Sequence, residues 1–167
     1  GSYPVYERYK DSGVEWLGEI PEHWDLKKIQ YISRLKSGES ITSNQIEKDG
    51  NFPVFGGNGL RGYYDSYTHD GDYVLIGRQG ALCGNINYAS GRFWASEHAV
   101  VVHNTTNLNV LWLGEILRTM NLGQYSTSAA QPGISVENIG RLKLPFPPLE
   151  EQETIARFLD YKTRQID

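Results

Sequence analysis

The feature that most constrains this chain is a change of character at Pro147-Pro148. The residues before that pair hold all 18 glycines, whereas residues 149–167 contain neither glycine nor proline. Glycine and proline interrupt helices, while Glu, Gln, Leu, Arg and Ala favour them, so two kinds of structure must share one chain. The tail predicts a long helix beginning at Pro147-Pro148. Proline is tolerated at the first helical position, and Glu150, Glu151 and Glu153 complement the positive end of the helix dipole. Ile155, Leu159, Lys162 and Ile166 follow at spacings of four, three and four, with Phe158 beside them, which makes a heptad-like seam. An apolar stripe of this kind often packs on its own domain. Here the pattern runs to the last residue with no return strand, which favours an interdomain coiled coil cut short.

Upstream, residues 25–148 are short β-rich runs separated by glycine and polar turns. Tyr73-Val74-Leu75-Ile76 and His98-Ala99-Val100-Val101-Val102 are the clearest strands, and residues 52–55, 84–88 and 141–145 carry weaker signals. A helix is expected over residues 108–120, with Val110, Leu113, Leu117 and Met120 on one face and residues 121–123 as its stop. Residues 3–24 form an aromatic, acidic lead-in. Its apolar Val14, Trp16, Leu17, Ile20 and Trp24 are broken by Gly13, Gly18 and Pro21, which reads as an extended arm with room for one turn. The expected fold class is α+β: a β-rich body with a few short helices, ending in the long helix.

A chain of 167 residues suits one compact core. With 39% hydrophobic and 22% charged residues it is neither disordered nor fibrous. Cys83 is single, which excludes an internal disulfide and a thiolate metal cluster and suits a reducing compartment. No apolar run approaches a membrane span and no signal-peptide pattern opens the chain, so a cytoplasmic protein without a membrane partner is expected. Gly1-Ser2 reads as a cloning remnant and is set aside. The net charge of −4 has the wrong sign for binding phosphates, but it is unevenly spread. Residues 27–148 hold 11 Lys/Arg against 9 Asp/Glu, a balance of +2, while the two ends together stand at −6. A mixed, solvated surface explains those numbers equally well.

Several motifs resemble catalytic ones and lack their context. Gly57-Asn58-Gly59-Leu60-Arg61-Gly62 matches the dinucleotide-binding glycine pattern, yet Tyr63-Tyr64-Asp65-Ser66 follows it and glycine stands at position 77, where an acidic residue is needed. A glycine-rich hairpin loop fits better. Phe146-Pro147-Pro148-Leu149 is similar to the tetrapeptide of adenine-N6 methyltransferases but begins with phenylalanine, which cannot hold an amino group. Asp25-Leu26-Lys27 and Asp160-Tyr161-Lys162 have the acid-x-lysine form of nuclease sites without a second acidic partner. His69, His98 and His103 lack ligand-like spacing, so no metal site is expected. What remains is a set of loops, Lys36-Ser37-Gly38, residues 58–64, Gly77-Arg78-Gln79-Gly80 and residues 126–133, that interleave polar, basic and aromatic residues with glycine. Arginine pairs bidentately with guanine and Asn or Gln with adenine, while glycine lets the backbone approach phosphates. Carbohydrate-reading and protein-reading β domains present similar loops, and a small nucleotide-binding enzyme using residues 57–62 is the other alternative.

Two long segments carry a family resemblance. Tyr9-Lys10-Asp11-Ser12-Gly13-Val14-Glu15-Trp16-Leu17-Gly18-Glu19-Ile20-Pro21-Glu22-His23-Trp24 closely resembles the opening of type I restriction-modification specificity subunits. Leu144-Pro145-Phe146-Pro147-Pro148-Leu149-Glu150-Glu151-Gln152-Glu153-Thr154-Ile155-Ala156 resembles the segment where their recognition domain passes into a conserved helix. Gly77-Arg78-Gln79-Gly80-Ala81 and Ala130-Gln131-Pro132-Gly133-Ile134 are similar to internal signatures of the same domains.

The resemblance implies a non-catalytic module that reads half of a split site in double-stranded DNA, with residues 3–148 as the target-recognition domain and residues 149–167 as the start of a spacer helix. A full subunit would pair it with a second recognition domain across an antiparallel coiled coil. Methyltransferase subunits, which bind S-adenosylmethionine and methylate adenine N6, and a motor-nuclease subunit would be partners, so this chain itself needs no cofactor. Arg61, Arg78, Gln79, Asn58 and Gln131 become the expected base readers, and Lys36, Ser128 and Tyr63 the expected phosphate or sugar contacts. Ile155, Phe158, Leu159 and Ile166 become the expected helix-packing surface.

Overall fold

The computed structural model describes residues 8–13, 17–127 and 132–166, with side chains as far as residue 160. The chain opens with β1 (Tyr9–Asp11), β2 (Glu19–Pro21), β3 (Asp25–Lys28), α1 (Ile29–Ile32) and β4 (Ser33–Ser37). There follow β5 (Phe52–Gly56), β6 (Gly59–Tyr64), β7 (His69–Asp70), β8 (Tyr73–Gly77), β9 (Ile86–Ala89), β10 (Arg92–Ala95) and β11 (Ala99–Asn104). The last part holds α2 (Val110–Thr119), a 3-10 turn (Leu122–Tyr125), α3 (Val136–Gly140), β12 (Lys143–Phe146) and α4 (Leu149–Ile166). No helix among the described residues is long and apolar enough to cross a membrane.

The centre of the fold is an antiparallel sheet in the order β4-β11-β8-β9. Both of its faces are covered. Val74, Ile76, Ile86, Val100 and Val102 point into a core completed by Ile29, Ile32, Leu113, Leu117 and Ile139 from the helices. Leu75, Ala89 and Val101 point the other way, onto Phe93 and Ala95 of a second sheet ordered β6-β5-β10-β7. That two-sided burial explains the unbroken Val100-Val101-Val102 run, since a strand with one wet face would alternate. In the second sheet β5 and β10 run parallel. The order of layers is therefore helices, sheet, sheet, and the fold is α+β as its composition implied.

Helix α2 starts where Asn109 caps it, its side chain accepting from Trp112 N at 2.9 Å. It ends at Asn121, which takes a left-handed conformation with φ 49°. Helix α4 starts at Leu149, one residue after Pro148, and its first turns belong to the domain: Gln152 is fully buried and Ala156 nearly so. Gln152 accepts from Asn109 N and donates to Pro147 O, each at 2.9 Å, while Glu151 accepts from Trp24 Nε1 at 2.5 Å and pairs with His23 Nε2 at 2.7 Å. The helix is thus latched to the start of α2 and to the lead-in arm.

The structure corrects several expectations. Within the lead-in, expected as an extended arm with room for one turn, β1 and β2 pair with each other, Lys10 opposite Ile20 and Ser12 N donating to Gly18 O. Val14 and Trp16 lie outside the described residues. Lys36 and Ser37 belong to β4, paired with Val101 and Val100, not to a loop. Gly38 signals close packing there, because a Cβ would come within 2.1 Å of Ala95 O. Residues 59–64 form β6, so the glycine pattern 57–62 closes a two-residue hairpin at Gly57-Asn58 and opens no helix. The strand expected at 141–145 begins two residues later because Ser135, accepting from Asn138 N, caps α3 just before it.

Candidate functional site

Two of the loops singled out for their composition are joined in space. The segment after β8 pairs with the segment before α3: Gly80 N donates to Pro132 O at 2.9 Å, Ile134 N donates to Arg78 O at 3.0 Å, and Gln79 stands opposite Gly133 in a bridge. The hairpin of β5 and β6 meets the same place from the other side. Gly57 and Gly77 touch backbone to backbone, since a Cβ on Gly77 would lie 2.4 Å from Gly57 O. Arg78 N donates to His98 O at 2.9 Å, and Asn85 Nδ2 donates to Asn58 Oδ1 at 2.8 Å. Each contact is a backbone or short-side-chain anchor, so the loop tips are held while their longer side chains remain free to point outward.

Three clefts open around these loops. One of about 450 Å³ is lined by Asn58, Leu60, Arg61, Gln79, Leu82 and His98. A second, of about 690 Å³, is lined by Arg78, Gln79, His98, Thr127 and Ser135 among others. Gln79 and His98 line both, so the two form one continuous surface. A third, of about 740 Å³, lies beyond Leu82 and includes Asn85, Arg118 and Gln124. The arginine ion pairs among the described residues are Arg92 with Asp70 and Arg118 with Glu115, which leaves Arg61 and Arg78 without a carboxylate partner. The Arg78 field still reaches the first turn of α3. Hydrogen bonds from its own backbone N–H and from Ser135 hold the Glu137 carboxyl below its ordinary value, and the charges of Arg141 and Arg78 add to that.

Of the residues expected to contact a ligand, Asn58, Arg61, Arg78 and Gln79 converge on this surface. The bond from Asn85 orients the Asn58 amide and leaves its NH₂ group to donate. Lys36 lines none of these clefts. Its charge acts instead on His69, whose ring is held below its usual value first by burial and then by His103, with Glu39 opposing and Lys36 adding. His69 Nε2 and His103 Nε2 stand 3.1 Å apart, and no group of three metal-ligating side chains forms among the described residues. Tyr63 is half-buried in β6, where its backbone exchanges two 2.8 Å bonds with Glu47, and Tyr64 packs edge-on to Trp94. Ser128 and Gln131 lie outside the described residues, as does the side chain of Ile166. Ile155 and Leu159 line an apolar groove with Trp24, Trp112, Ile116 and Pro145, and Phe158 is half-buried. Sequence reasoning missed His98, which looked like the flank of a strand and reaches the site because its carbonyl anchors Arg78.

Known proteins resemble this chain in sequence and fold. The EcoprrI type I restriction enzyme specificity subunit of Escherichia coli is 44% identical over 159 residues, which is 93% of this chain and 39% of that protein. The fold matches the S subunit of the type I restriction-modification system from M. genitalium with a TM-score of 0.74 at 19% identity, over 83% of this chain and 38% of that one. It also matches the HsdS subunit from Thermoanaerobacter tengcongensis with a TM-score of 0.68 at 22% identity, over 95% of this chain and 41% of that one. The chain spans about two-fifths of the length of each. The sequence profile described as type I restriction modification DNA specificity domain matches residues 21–167. With so much of its length matched, this chain belongs to the type I restriction-modification DNA specificity domain family.

Proposed function

We propose that the chain is a non-catalytic target-recognition domain that reads one half of a split site in duplex DNA. Residues 3–148 form the reading body, and residues 149–167 begin the helix that sets its distance from a second such domain. Methyltransferase subunits carrying S-adenosylmethionine and a motor-nuclease subunit are its cytoplasmic partners. The observation that carries the reading is the pairing of residues 78–80 with residues 132–134, beside the hairpin turn at Gly57-Asn58. It gathers Asn58, Arg61, Arg78 and Gln79 around two adjoining clefts. These side chains carry the donor and acceptor sets that fit guanine and adenine edges in a major groove. Their backbones are held on short anchors, so ordering on binding is confined to the side chains.

Selection of bound duplexes from a randomised DNA pool at low salt tests this reading. One contiguous motif of about three to five base pairs is expected. Arg78→Ala and Arg61→Ala should each relax the preference at a base position, costing about 1–3 kcal/mol against the best site, with thermal unfolding nearly unchanged. Retention of no duplex at all, or a motif identical in both variants, defeats the proposal.

A further inference from the structure

The cleft between Asn58 and Gln79 holds a feature that hydrogen bonding to bases leaves unused. The large hydrophobic side chains exposed among the described residues are three tyrosines, Tyr9, Tyr31 and Tyr67, and two leucines, Leu60 and Leu82. A tyrosine at the surface keeps its hydroxyl in water, but a leucine has nothing to offer it. A single exposed leucine is ordinary. Here both leucines are 56% exposed and both line the cleft that holds Asn58, Arg61, Gln79 and His98.

Their positions are built by the fold. Leu60 sits in β6 opposite Phe55, next to Arg61, and Leu82 sits in the turn after Gln79. Asn85 ties the two rims together: its backbone N–H donates to Leu82 O at 3.1 Å and its side chain donates to Asn58 Oδ1 at 2.8 Å. A ligand filling this cleft therefore needs small apolar groups interleaved with hydrogen-bonding edges at fixed spacing. A sugar would ask for a flat aromatic face, and this cleft has none in its lining beyond the His98 ring. The major groove meets the requirement, because thymine alone presents a methyl group there, beside the acceptors and donors of its neighbours.

We propose that Leu60 and Leu82 read the 5-methyl group of thymine flanking the bases held by Asn58, Arg61 and Gln79. The inference rests on the DNA reading above and adds to it that a thymine of the half-site is recognised through its methyl group. Uracil substitution provides the test, because it removes that methyl and leaves every hydrogen-bonding edge in place. Each thymine of the selected duplex is replaced singly by uracil, and binding is measured for the whole chain and for the Leu60→Ala and Leu82→Ala variants.

At one thymine or more, uracil should weaken binding about fourfold, the effect of one methyl-sized group removed from an apolar contact. In at least one of the two alanine variants that sensitivity should vanish, so that thymine and uracil duplexes bind alike. Both leucines are exposed, so unchanged melting temperatures would confirm that folding is intact. A motif made of G·C pairs alone overturns the proposal. So does uracil tolerance at every position, or a sensitivity that survives in both variants, and in each of these cases a selected motif leaves DNA reading standing. Failure to select any motif overturns both together.

Discussion

At the scale of single residues, Gly57 and Gly77 decide how near the hairpin turn and the segment after β8 can come. A Cβ on Gly77 would stand 2.4 Å from Gly57 O and 3.1 Å from Leu82 O. Both obstacles are backbone atoms already engaged in the loop, so neither can rotate away as a side-chain tip would. Gly77→Ala should therefore lower stability by about 1–3 kcal/mol, and it should disturb the site as well, because the hairpin turn must retreat from Arg78 to admit the methyl. Thermal unfolding checks the first effect, and duplex binding at a temperature where the variant is still folded checks the second. The convergence of Asn58, Arg61 and Gln79 on one cleft was legible in the sequence as far as polar residues set among glycines mark exposed loops. His98 was not legible: its sequence neighbours mark a strand, and only the hydrogen bond from Arg78 N to its carbonyl places it between two clefts.

At the scale of elements, the latch on α4 gives the helix a fixed direction. Gln152 has no exposed surface and satisfies two backbone groups, Asn109 N at the start of α2 and Pro147 O ahead of α4. Gln152→Ala would leave Pro147 O buried and unpaired, at about 1–3 kcal/mol, with a smaller cost at the part-buried Asn109 N. Glu153→Ala, one position on and exposed, should change stability by less than about 0.5 kcal/mol. Denaturant unfolding of the two variants side by side separates a structural latch from a solvated helix face. The elements legible beforehand, β8, β11, α2 and α4, are those whose pattern reflects burial: unbroken where two faces are covered, periodic where one is. β5, β9 and β12 gave weaker signals at residues 52–55, 84–88 and 141–145, and the elements left unread are short or lie at sheet edges. Edge strand β4 carries Arg34 and Lys36, and β3 is Asp25-Leu26-Lys27-Lys28, so their charges hid the strands. Helix α3 has five residues, too few for a period to emerge, and Ser135 at its cap was the available signal.

At the scale of the whole molecule, charge sets the kind of DNA reader this chain can be. A protein that binds chiefly through phosphates carries a strongly basic face. Here the balance of the body is +2 within a chain of net charge −4, and two of its arginines are already paired with carboxylates. Arg61 and Arg78 remain at the site, with Lys36 near His69 as a further cation. If all three neutralised phosphates, log affinity would fall against log salt with a slope of about −3, since each phosphate contributes about −0.9. To the extent that Arg61 and Arg78 are spent on bases, the slope should be shallower still. Measuring binding to the selected duplex between roughly 50 and 200 mM salt checks this. A slope steeper than about −5 would require more cations than the three at or near the site, and would mean that the DNA also lies on a different surface. A shallow slope carries a consequence for assembly. With few phosphate contacts, one domain alone gains little from non-specific attraction and depends on base contacts worth about 1–3 kcal/mol each, so useful affinity requires a second half-site on the same duplex. Under the proposed function, the latch that fixes the direction of α4 would hold such a second contact at a defined distance.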